Sequence, residues 1–243
     1  MSILTEWLIP PAALDLSDEV VHVWRARLAL EPEVLARLRL TLSPTELARA
    51  ERFVLDRDRE RFVAAHGVLR NVLSKYLHCA PQTVEFSHGP FGKPAVSAGR
   101  EQPSLRFNLS HSCDLALIAL GRKREVGIDL ERVRSHFGGE EIAKRYFSPI
   151  EVSELRTVPS NLQSEAFFLC WTRKEAYIKA TGKGLQTPLD GFTVSLTPGA
   201  PAELKSADES SWTLRSLSPE AGYAAAVVAE GKGWLLRCFS WSP

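Results

Sequence analysis

Cysteine is scarce in this sequence, and its spacing argues against two kinds of architecture. Among 243 residues there are only four cysteines, and no two of them form a C-x-x-C pair. They are Cys79, Cys113, Cys170 and Cys238. Such isolated positions favour neither a zinc site nor a disulfide framework. We therefore expect a protein of a reducing compartment, in the simplest case the cytoplasm.

An excess of charge is also lacking, and so are long apolar runs. Thirty Lys and Arg residues stand against 29 Asp and Glu residues, which leaves a formal net charge of +1. No bulk field then draws the chain to nucleic acid or to an anionic membrane. No stretch approaches the roughly 18 apolar residues of a membrane span, and no signal peptide is recognisable. We expect a soluble protein with neither nucleic acid nor membrane among its partners.

The composition that remains is that of a globular protein, with 44% hydrophobic and 24% charged residues. The length suits one large domain or two small ones. Hydrophobic periodicity predicts strands and helices in alternation. The predicted strands are 20–27, 83–86, 104–108, 115–120, 125–133, 192–196, 212–217, 223–229 and 234–240, and the predicted helices are 33–40, 58–78 and 164–181. Two more helices are predicted to begin after Ser43 and Ser148.

A weak internal repeat divides the chain into two. Both serine caps belong to a Ser-Pro-x-Glu segment, the pattern of a capping box with proline at the first helical position. Val21, Ser43, Pro44, Glu46, Glu60 and Phe62 match Val126, Ser148, Pro149, Glu151, Glu165 and Phe167 at one constant offset. We expect an α+β fold, a pseudo-dimer of similar halves at residues 1–121 and 122–243, with the site in the cleft between them. A site within one chain also predicts a functional monomer.

Two carboxylates share one face of a predicted strand. In the segment VGIDLE, the period of two sends Asp129 and Glu131 to the same side. Two negative charges so close repel each other unless a cation lies between them, and hard oxygen ligands suit Mg²⁺. A solvent-exposed acidic strand is the alternative interpretation of these residues alone.

The second long helix presents another polar face. Trp171, Glu175 and Lys179 are spaced by four, so they share one side of the helix. An ordinary helical Glu–Lys pair is one interpretation. If Glu175 reaches the two strand carboxylates, three acidic groups meet at one point and a metal ion is indicated, with Lys179 placed to meet phosphate oxygens.

Two polar segments are candidate ligand-binding loops. Ser110 and His111 follow a predicted strand, and a loop there could grip a phosphate or a ribose. Ser110 lacks the G-x-S-x-G context of a serine hydrolase. Lys93 and Pro94 lie in the segment FGKP, which suits close approach to a planar or phosphorylated ligand but also occurs in surface turns. The chain has neither a P-loop nor a G-x-G-x-x-G motif.

The ordered motifs FGKP, FNLSHS, VGIDLE, FSPIE and WTRKEAYIKATGKGL resemble those of the Sfp-type 4'-phosphopantetheinyl transferases. They run from Phe91 to Leu185 in the order and approximate spacing of that family. The resemblance implies transfer of 4'-phosphopantetheine from coenzyme A to a serine of an acyl or peptidyl carrier protein, with Mg²⁺. Adenosine 3',5'-bisphosphate is then released. It also implies a pseudo-dimer with the coenzyme between its halves.

The resemblance also assigns roles to the acidic residues. Asp129, Glu131 and Glu175 correspond to metal ligands of the family. Glu175 is similar to the residue proposed to take the proton of the carrier serine, directly or through water. Lys179 resembles a lysine that contacts the pyrophosphate.

Other roles concern the coenzyme. Lys93 and Pro94 correspond to the adenine-side loop, and Ser110 and His111 to a phosphate-contacting pair. The family can place two basic residues one turn apart on the 3'-phosphate. The matching residues here are Glu46 and Arg49, so that only Arg49 carries over.

Two other functions use the same residues. A protein that only binds coenzyme A or a carrier needs the pocket but neither base nor metal. A Mg²⁺-dependent phosphohydrolase uses the carboxylates with water as the nucleophile, and release of free phosphopantetheine without a carrier would identify it.

Overall fold

The computed structural model describes residues 5–97, 105–135, 137–205 and 211–243. The helices are α1 (Pro32–Arg39), α2 (Pro44–Ala50), α3 (Asp56–Leu77), α4 (Glu140–Tyr146), α5 (Pro149–Thr157) and α6 (Gln163–Thr181). The strands are β1 (Val20–Arg27), β2 (Phe86–His88), β3 (Pro94–Val96), β4 (Leu105–Ser112), β5 (Leu115–Arg122), β6 (Val126–Arg132), β7 (Thr193–Val194), β8 (Leu204–Lys205), β9 (Trp212–Leu217), β10 (Tyr223–Glu230) and β11 (Leu235–Ser240). The mixed α+β fold class is thereby confirmed.

Two sheets lie at the centre of the molecule. The first has the strand order β11-β1-β5-β4, in which β11 runs parallel to β1 and the other pairs are antiparallel. The second has the order β6-β10-β9 and is antiparallel throughout. The division of the chain after residue 121 stays a prediction. The last strand, β11, completes the sheet to which β1 belongs.

Alternation along the strands explains how the layers stack. In β5, Leu117 and Ala119 pack towards the second sheet, whereas Ile118 and Leu120 pack towards α3. In β10, Val227 joins the contact between the sheets, and its neighbours in sequence pack with α6. Period-two alternation therefore gives each sheet two apolar faces. The layers follow in the order α3, first sheet, second sheet and α6.

The helix ends agree with the sequence patterns. The Glu46 carboxylate accepts from the Ser43 amide at 2.8 Å, and the Glu151 carboxylate accepts from the Ser148 amide at 2.7 Å. Each serine hydroxyl accepts in turn from the glutamate amide, so both capping boxes are complete. Helix α6 ends at Gly182, whose φ of 67° favours glycine.

The prediction of a strand at residues 83–86 is wrong. Pro81–Thr83 forms a short 3₁₀ turn, and the strand is β2, which begins at Phe86. Proline fixes φ at a value that suits the first position of such a turn. The Thr83 hydroxyl stabilises the turn by donating to the Ala80 carbonyl at 2.8 Å.

The prediction of a loop at Ser110 and His111 is also wrong. These residues belong to β4, which pairs with β5 up to Ser112 opposite Leu115. Ser104, the first residue of the strand predicted there, lies outside the described residues. The strand predicted at residues 192–196 is shorter in the structure, at Thr193–Val194.

The long helices pack on the sheets. One side of α3 is buried, including Val68, Leu69, Val72 and Leu73, while its first turn is acidic. Most of α6 is buried between the second sheet and its flanking helices. Across the described ranges, no helix is both long and apolar enough to cross a membrane.

Candidate active site

A close approach between α6 and β6 forms one wall of the site. Gly127 of β6 lies against the backbone of Ala176 and Ala180, and a side chain at Gly127 would overlap both. The small residues therefore let the helix lie directly on the strand. This contact brings Glu175 and Lys179 to the side of β6 that carries the strand carboxylates.

Lys179 and Asp129 form the central ion pair. The Lys179 ammonium lies 2.6 Å from Asp129 Oδ1, and it also donates to the Ser110 hydroxyl at 3.2 Å. Ser110 donates to the same Asp129 oxygen at 2.9 Å. The second oxygen, Asp129 Oδ2, is buried and has no hydrogen-bond partner among the described residues. A buried carboxylate oxygen without a partner is costly, so this oxygen favours a further cation or donor.

Glu131 and Glu175 add negative charge around this pair. Burial, and then the Asp129 carboxylate, raise the pKa of Glu175, while Lys179 opposes the rise. Burial and Asp129 also raise the pKa of Glu131, against a hydrogen bond from Ser112. The three predicted carboxylates therefore lie within electrostatic reach of one another, and their mutual repulsion favours a bound cation.

The carboxylates are not assembled into a closed metal cage. In the part of the chain that the structure describes, no group of three His, Cys, Asp or Glu side chains stands ready to hold a metal ion. The donors nevertheless fit Mg²⁺ in kind, because they are carboxylate oxygens and Asp129 Oδ2 lacks a partner. The ligand set Asp129, Glu131 and Glu175 stays a prediction.

Strand β4 connects to β6 through its side chains. Asn108 Oδ1 accepts from the Ile128 amide at 2.9 Å, Ser110 donates to Asp129, and Ser112 donates to Glu131 Oε2 at 2.9 Å. Three alternate residues of β4 therefore hydrogen-bond to β6. These bonds explain why a strand at this position is polar, a reason that the local sequence does not reveal.

His111 stands among cations. Its side chain keeps an accessible surface, but desolvation by the surrounding protein, followed by the charges of His66, Lys179 and Arg49, lowers its pKa. A neutral imidazole next to several positive groups is suited to an anionic ligand. This is compatible with the predicted phosphate contact, which stays a prediction.

A cavity of about 760 Å³ opens in the first half of the chain. Arg49 and Pro94 line it, as do His66, Arg70 and Asn108. Its size is in the range of cavities that hold small molecules and cofactors. The guanidinium of Arg49 lies 5.2 Å from the centre of the Phe62 ring, which orients it by a cation–π contact.

Glu46 lies in the wall of this cavity, next to basic partners. It pairs with Arg70 at 2.7 Å and with His66 at 3.3 Å. Burial alone would raise the pKa of Glu46, but hydrogen bonds from His66, Arg70 and Ser43 outweigh it and lower the pKa to about 2. Glu46 therefore serves the helix cap and balances Arg70, whereas Arg49 lines the cavity beside the Phe62 ring.

Lys93 has three protein acceptors. Its ammonium donates to Glu125 Oε2 at 2.8 Å and to the carbonyls of Val126 and Ala180, each at 3.0 Å. It therefore ties the turn between β2 and β3 to β6 and to the end of α6. Pro94, the next residue, lines the cavity instead.

Sequence reasoning missed three polar residues of the site. His66 and Arg70 lie one turn apart on α3 and interrupt an otherwise apolar face, which is a signal that could have revealed them. The role of Ser112 had no such signal, because its partner on β6 is known only from the tertiary structure.

Comparisons with known proteins agree with these features. One family model, the 4'-phosphopantetheinyl transferase superfamily, matches residues 125–228, and another, the N-terminal region of 4'-phosphopantetheinyl transferase, matches residues 30–122. The 4'-phosphopantetheinyl transferase HetI of Nostoc sp. is 42% identical over 228 residues, covering 94% of this chain and 95% of the relative. The 4'-phosphopantetheinyl transferase Sfp of Bacillus subtilis is 31% identical over 201 residues, covering 82% and 87%.

Among solved structures, a holo-(acyl-carrier-protein) synthase from Bacillus anthracis covers 44% of this chain and 96% of its own. Its identity of 21% and TM-score of 0.39 are too low to add to the sequence matches. Those matches extend over both halves of the chain and over nearly the full length of a relative. This protein therefore belongs to the 4'-phosphopantetheinyl transferase superfamily.

Proposed function

We propose that this protein transfers 4'-phosphopantetheine from coenzyme A to a serine of an apo acyl or peptidyl carrier protein. Adenosine 3',5'-bisphosphate is the second product. The observation that carries the proposal is the position of Glu175 and Lys179 beside Asp129, at the contact between α6 and β6. Carboxylates and a lysine in this arrangement suit phosphoryl transfer, which depends on positioning and on neutralisation of charge.

The cavity of the first half holds the nucleotide end of coenzyme A in this proposal. Arg49 faces the 3'-phosphate, and Pro94 lies beside the adenine. Ser110, His111 and Lys179 contact the phosphates. The cations around His111 support this placement, because positive charge attracts phosphate oxygens. Lys93 stabilises the turn between β2 and β3 through its hydrogen bonds to Glu125 and to the carbonyls of β6 and α6.

Asp129, Glu131 and Glu175 are the residues that would hold Mg²⁺. The partnerless Asp129 Oδ2 and the repulsion among the three carboxylates support this assignment. When bound there, Mg²⁺ supplies positive charge that offsets the charge on the phosphoryl oxygens. Lys179, which donates to Asp129 Oδ1 in the structure, would donate to a phosphate oxygen of the coenzyme.

Glu175 takes the proton of the carrier serine, directly or through one water. A carboxylate held on α6 beside Asp129 is a suitable proton acceptor for a hydroxyl group. The serine oxygen forms a bond to the β-phosphorus, and the bond from that phosphorus to the bridging oxygen breaks. The leaving oxygen stays on adenosine 3',5'-bisphosphate, and the proton stays on Glu175 until solvent removes it.

We also propose that a single chain is the functional unit, and that it acts in the cytoplasm. Both walls of the site, the cavity beside α3 and the carboxylates beside α6, come from one chain. This arrangement supports a site built from one copy of the chain. Size-exclusion chromatography with light scattering, run alongside the transfer assay, would reveal a dimer if activity required one.

Intact-protein mass spectrometry tests the reaction. An apo carrier protein is incubated with this protein, coenzyme A and Mg²⁺, with a parallel sample in EDTA. We expect the carrier to gain one phosphopantetheine only when metal is present. Phosphopantetheine released without a carrier would indicate a phosphohydrolase, and coenzyme A binding without transfer to several fatty-acid and peptidyl carriers would indicate a binding protein.

A further inference from the structure

Ser112 at the end of β4 holds the carboxylate of Glu131. Its hydroxyl donates to Glu131 Oε2 at 2.9 Å and accepts from the Arg132 amide at 3.1 Å. Because the amide can only donate, the single hydroxyl proton is directed at the carboxylate. Both partners lie on β6, so the contact joins the two sheets at the point where the carboxylate leaves the strand.

We propose that Ser112 is a positioning residue for the metal site, because it fixes the orientation in which Glu131 offers its other oxygen to the ion. This rests on the proposed function in so far as Glu131 is one of the metal ligands. A carboxylate that ligates a metal is usually itself hydrogen-bonded, and removal of such a partner commonly weakens metal affinity ten- to a hundredfold.

The position of Glu131 makes this support necessary. Glu131 is half-buried near the end of β6, and it is less enclosed than Asp129, which is 4% exposed. A glutamate side chain has three rotatable bonds, so an unsupported carboxylate samples several orientations and loses that freedom on binding. The strand-borne hydroxyl of Ser112 removes much of this freedom before the ion arrives.

The neighbouring serine has a different position. Ser110 donates to Asp129, but it also accepts from the Lys179 ammonium and lies where phosphate is proposed to bind. A change at Ser110 therefore disturbs several contacts at once. Ser112 touches the site through Glu131, which makes its substitution the cleaner test.

Binding of Mn²⁺, without turnover, tests the proposal directly. The free ion is counted by electron paramagnetic resonance during titration of the full chain with coenzyme A and no carrier. We expect Ser112→Ala to weaken Mn²⁺ binding about tenfold. Ser112→Thr, which keeps the hydroxyl, should stay within about twofold of the unchanged protein. Ser74→Ala is the matched control, since that hydroxyl donates to a carbonyl of its own helix, that of Asn71.

A double substitution shows whether Ser112 acts through Glu131. In a Glu131→Ala background, we expect Ser112→Ala to cause no further loss of Mn²⁺ affinity, because its partner is already gone. In the transfer assay, Ser112→Ala should raise the KM for Mg²⁺ while kcat at saturating Mg²⁺ stays nearly unchanged. A purely structural defect would instead lower kcat or the melting temperature.

The outcomes separate this proposal from the proposed function. Unaltered Mn²⁺ affinity in Ser112→Ala, an additive loss in the double variant, or no Mn²⁺ binding by the unchanged protein would each overturn the role of Ser112. Failure of the unchanged protein to modify any carrier would overturn the transfer activity, yet the Mn²⁺ titration would still report on Ser112 and Glu131.

Discussion

The same helix face carries different side chains in the two halves of the molecule. At the offset of the internal repeat, His66, Arg70 and Ser74 of α3 correspond to Trp171, Glu175 and Lys179 of α6. In α3 this face borders the open cavity with basic groups. In α6 it meets β6 with an acid and a lysine. In the proposed function, the face on α3 is the binding wall, which borders the coenzyme, and the face on α6 is the reacting wall.

The two capping glutamates show the same divergence. Glu46 and Glu151 close equivalent capping boxes, but Glu46 lies in the cavity wall with Arg70, whereas Glu151 is fully buried with Lys174 at 2.7 Å. The Lys174 ammonium also donates to the carbonyls of Leu189 and Phe192. At this position the first half is open to the cavity, whereas the second half is closed by the buried pair of Glu151 and Lys174.

The largest effect on the transfer rate is expected from a substitution in the reacting wall. Glu175→Gln removes the proton acceptor while keeping the size of the side chain, so transfer should fall about 1,000-fold. Intact-protein mass spectrometry of the carrier measures the rate. Glu165→Gln, an exposed change on the same helix, is the control and should leave the rate unchanged. Near-normal turnover in Glu175→Gln would refute the assigned role.

The difference between the two capping glutamates can be measured as a difference in the free energy of unfolding of their variants. Glutamine also completes a capping box, so Glu151→Gln and Glu46→Gln chiefly remove charge. Glu151→Gln leaves the Lys174 ammonium buried without its counterion, and the free energy of unfolding should fall by about 4 kcal/mol. Glu46→Gln should lose about 2 kcal/mol, because Arg70 keeps two carbonyl acceptors beside the open cavity. Urea denaturation of both variants makes the comparison, and equal losses would contradict it.

Acid should lower the free energy of unfolding through protonation of Glu46. Its pKa is about 2 in the folded chain against 4.5 for a free glutamate, so the unfolded state binds the proton more readily. The stabilisation is complete above about pH 4.5 and is lost as the pH falls towards 2, with roughly 2 kcal/mol gone by pH 3. Urea denaturation at pH 6 and pH 3 measures the loss. Glu46→Gln should lose less over this interval, and an identical slope in both proteins would exclude Glu46 as the cause.

A smaller effect is expected for the phosphate contact. Lys179→Ala removes a cation that faces the proposed phosphates, so the Kd for coenzyme A should rise about tenfold. Isothermal titration calorimetry measures this change. Lys75→Ala, an exposed lysine of α3, serves as the control. Unchanged affinity in Lys179→Ala would place the phosphates elsewhere.

The positions of the candidate site residues were predictable where they depend on short-range sequence patterns. Period-two alternation placed Asp129 and Glu131 on one side of β6, and helical spacing placed Glu175 and Lys179 on one side of α6. The pairing of Lys179 with Asp129 was not derivable, since it needs Gly127 and two alanines to bring helix and strand together. Likewise, the sequence predicts a loop around Ser110, because the partner of its hydroxyl, Asp129, lies on β6 and is distant along the chain.

The sequence by itself determined the helix caps, the amphipathic faces, the α+β class and the motifs of the family. These depend on residues that are close along the chain, or on strings of letters that can be compared directly. Only the tertiary structure decided the partners of Lys93, the pairing of Glu46 with Arg70 and the insertion of β11 beside β1. Such contacts join residues far apart in sequence, and they are decided by how the layers pack rather than by local preference.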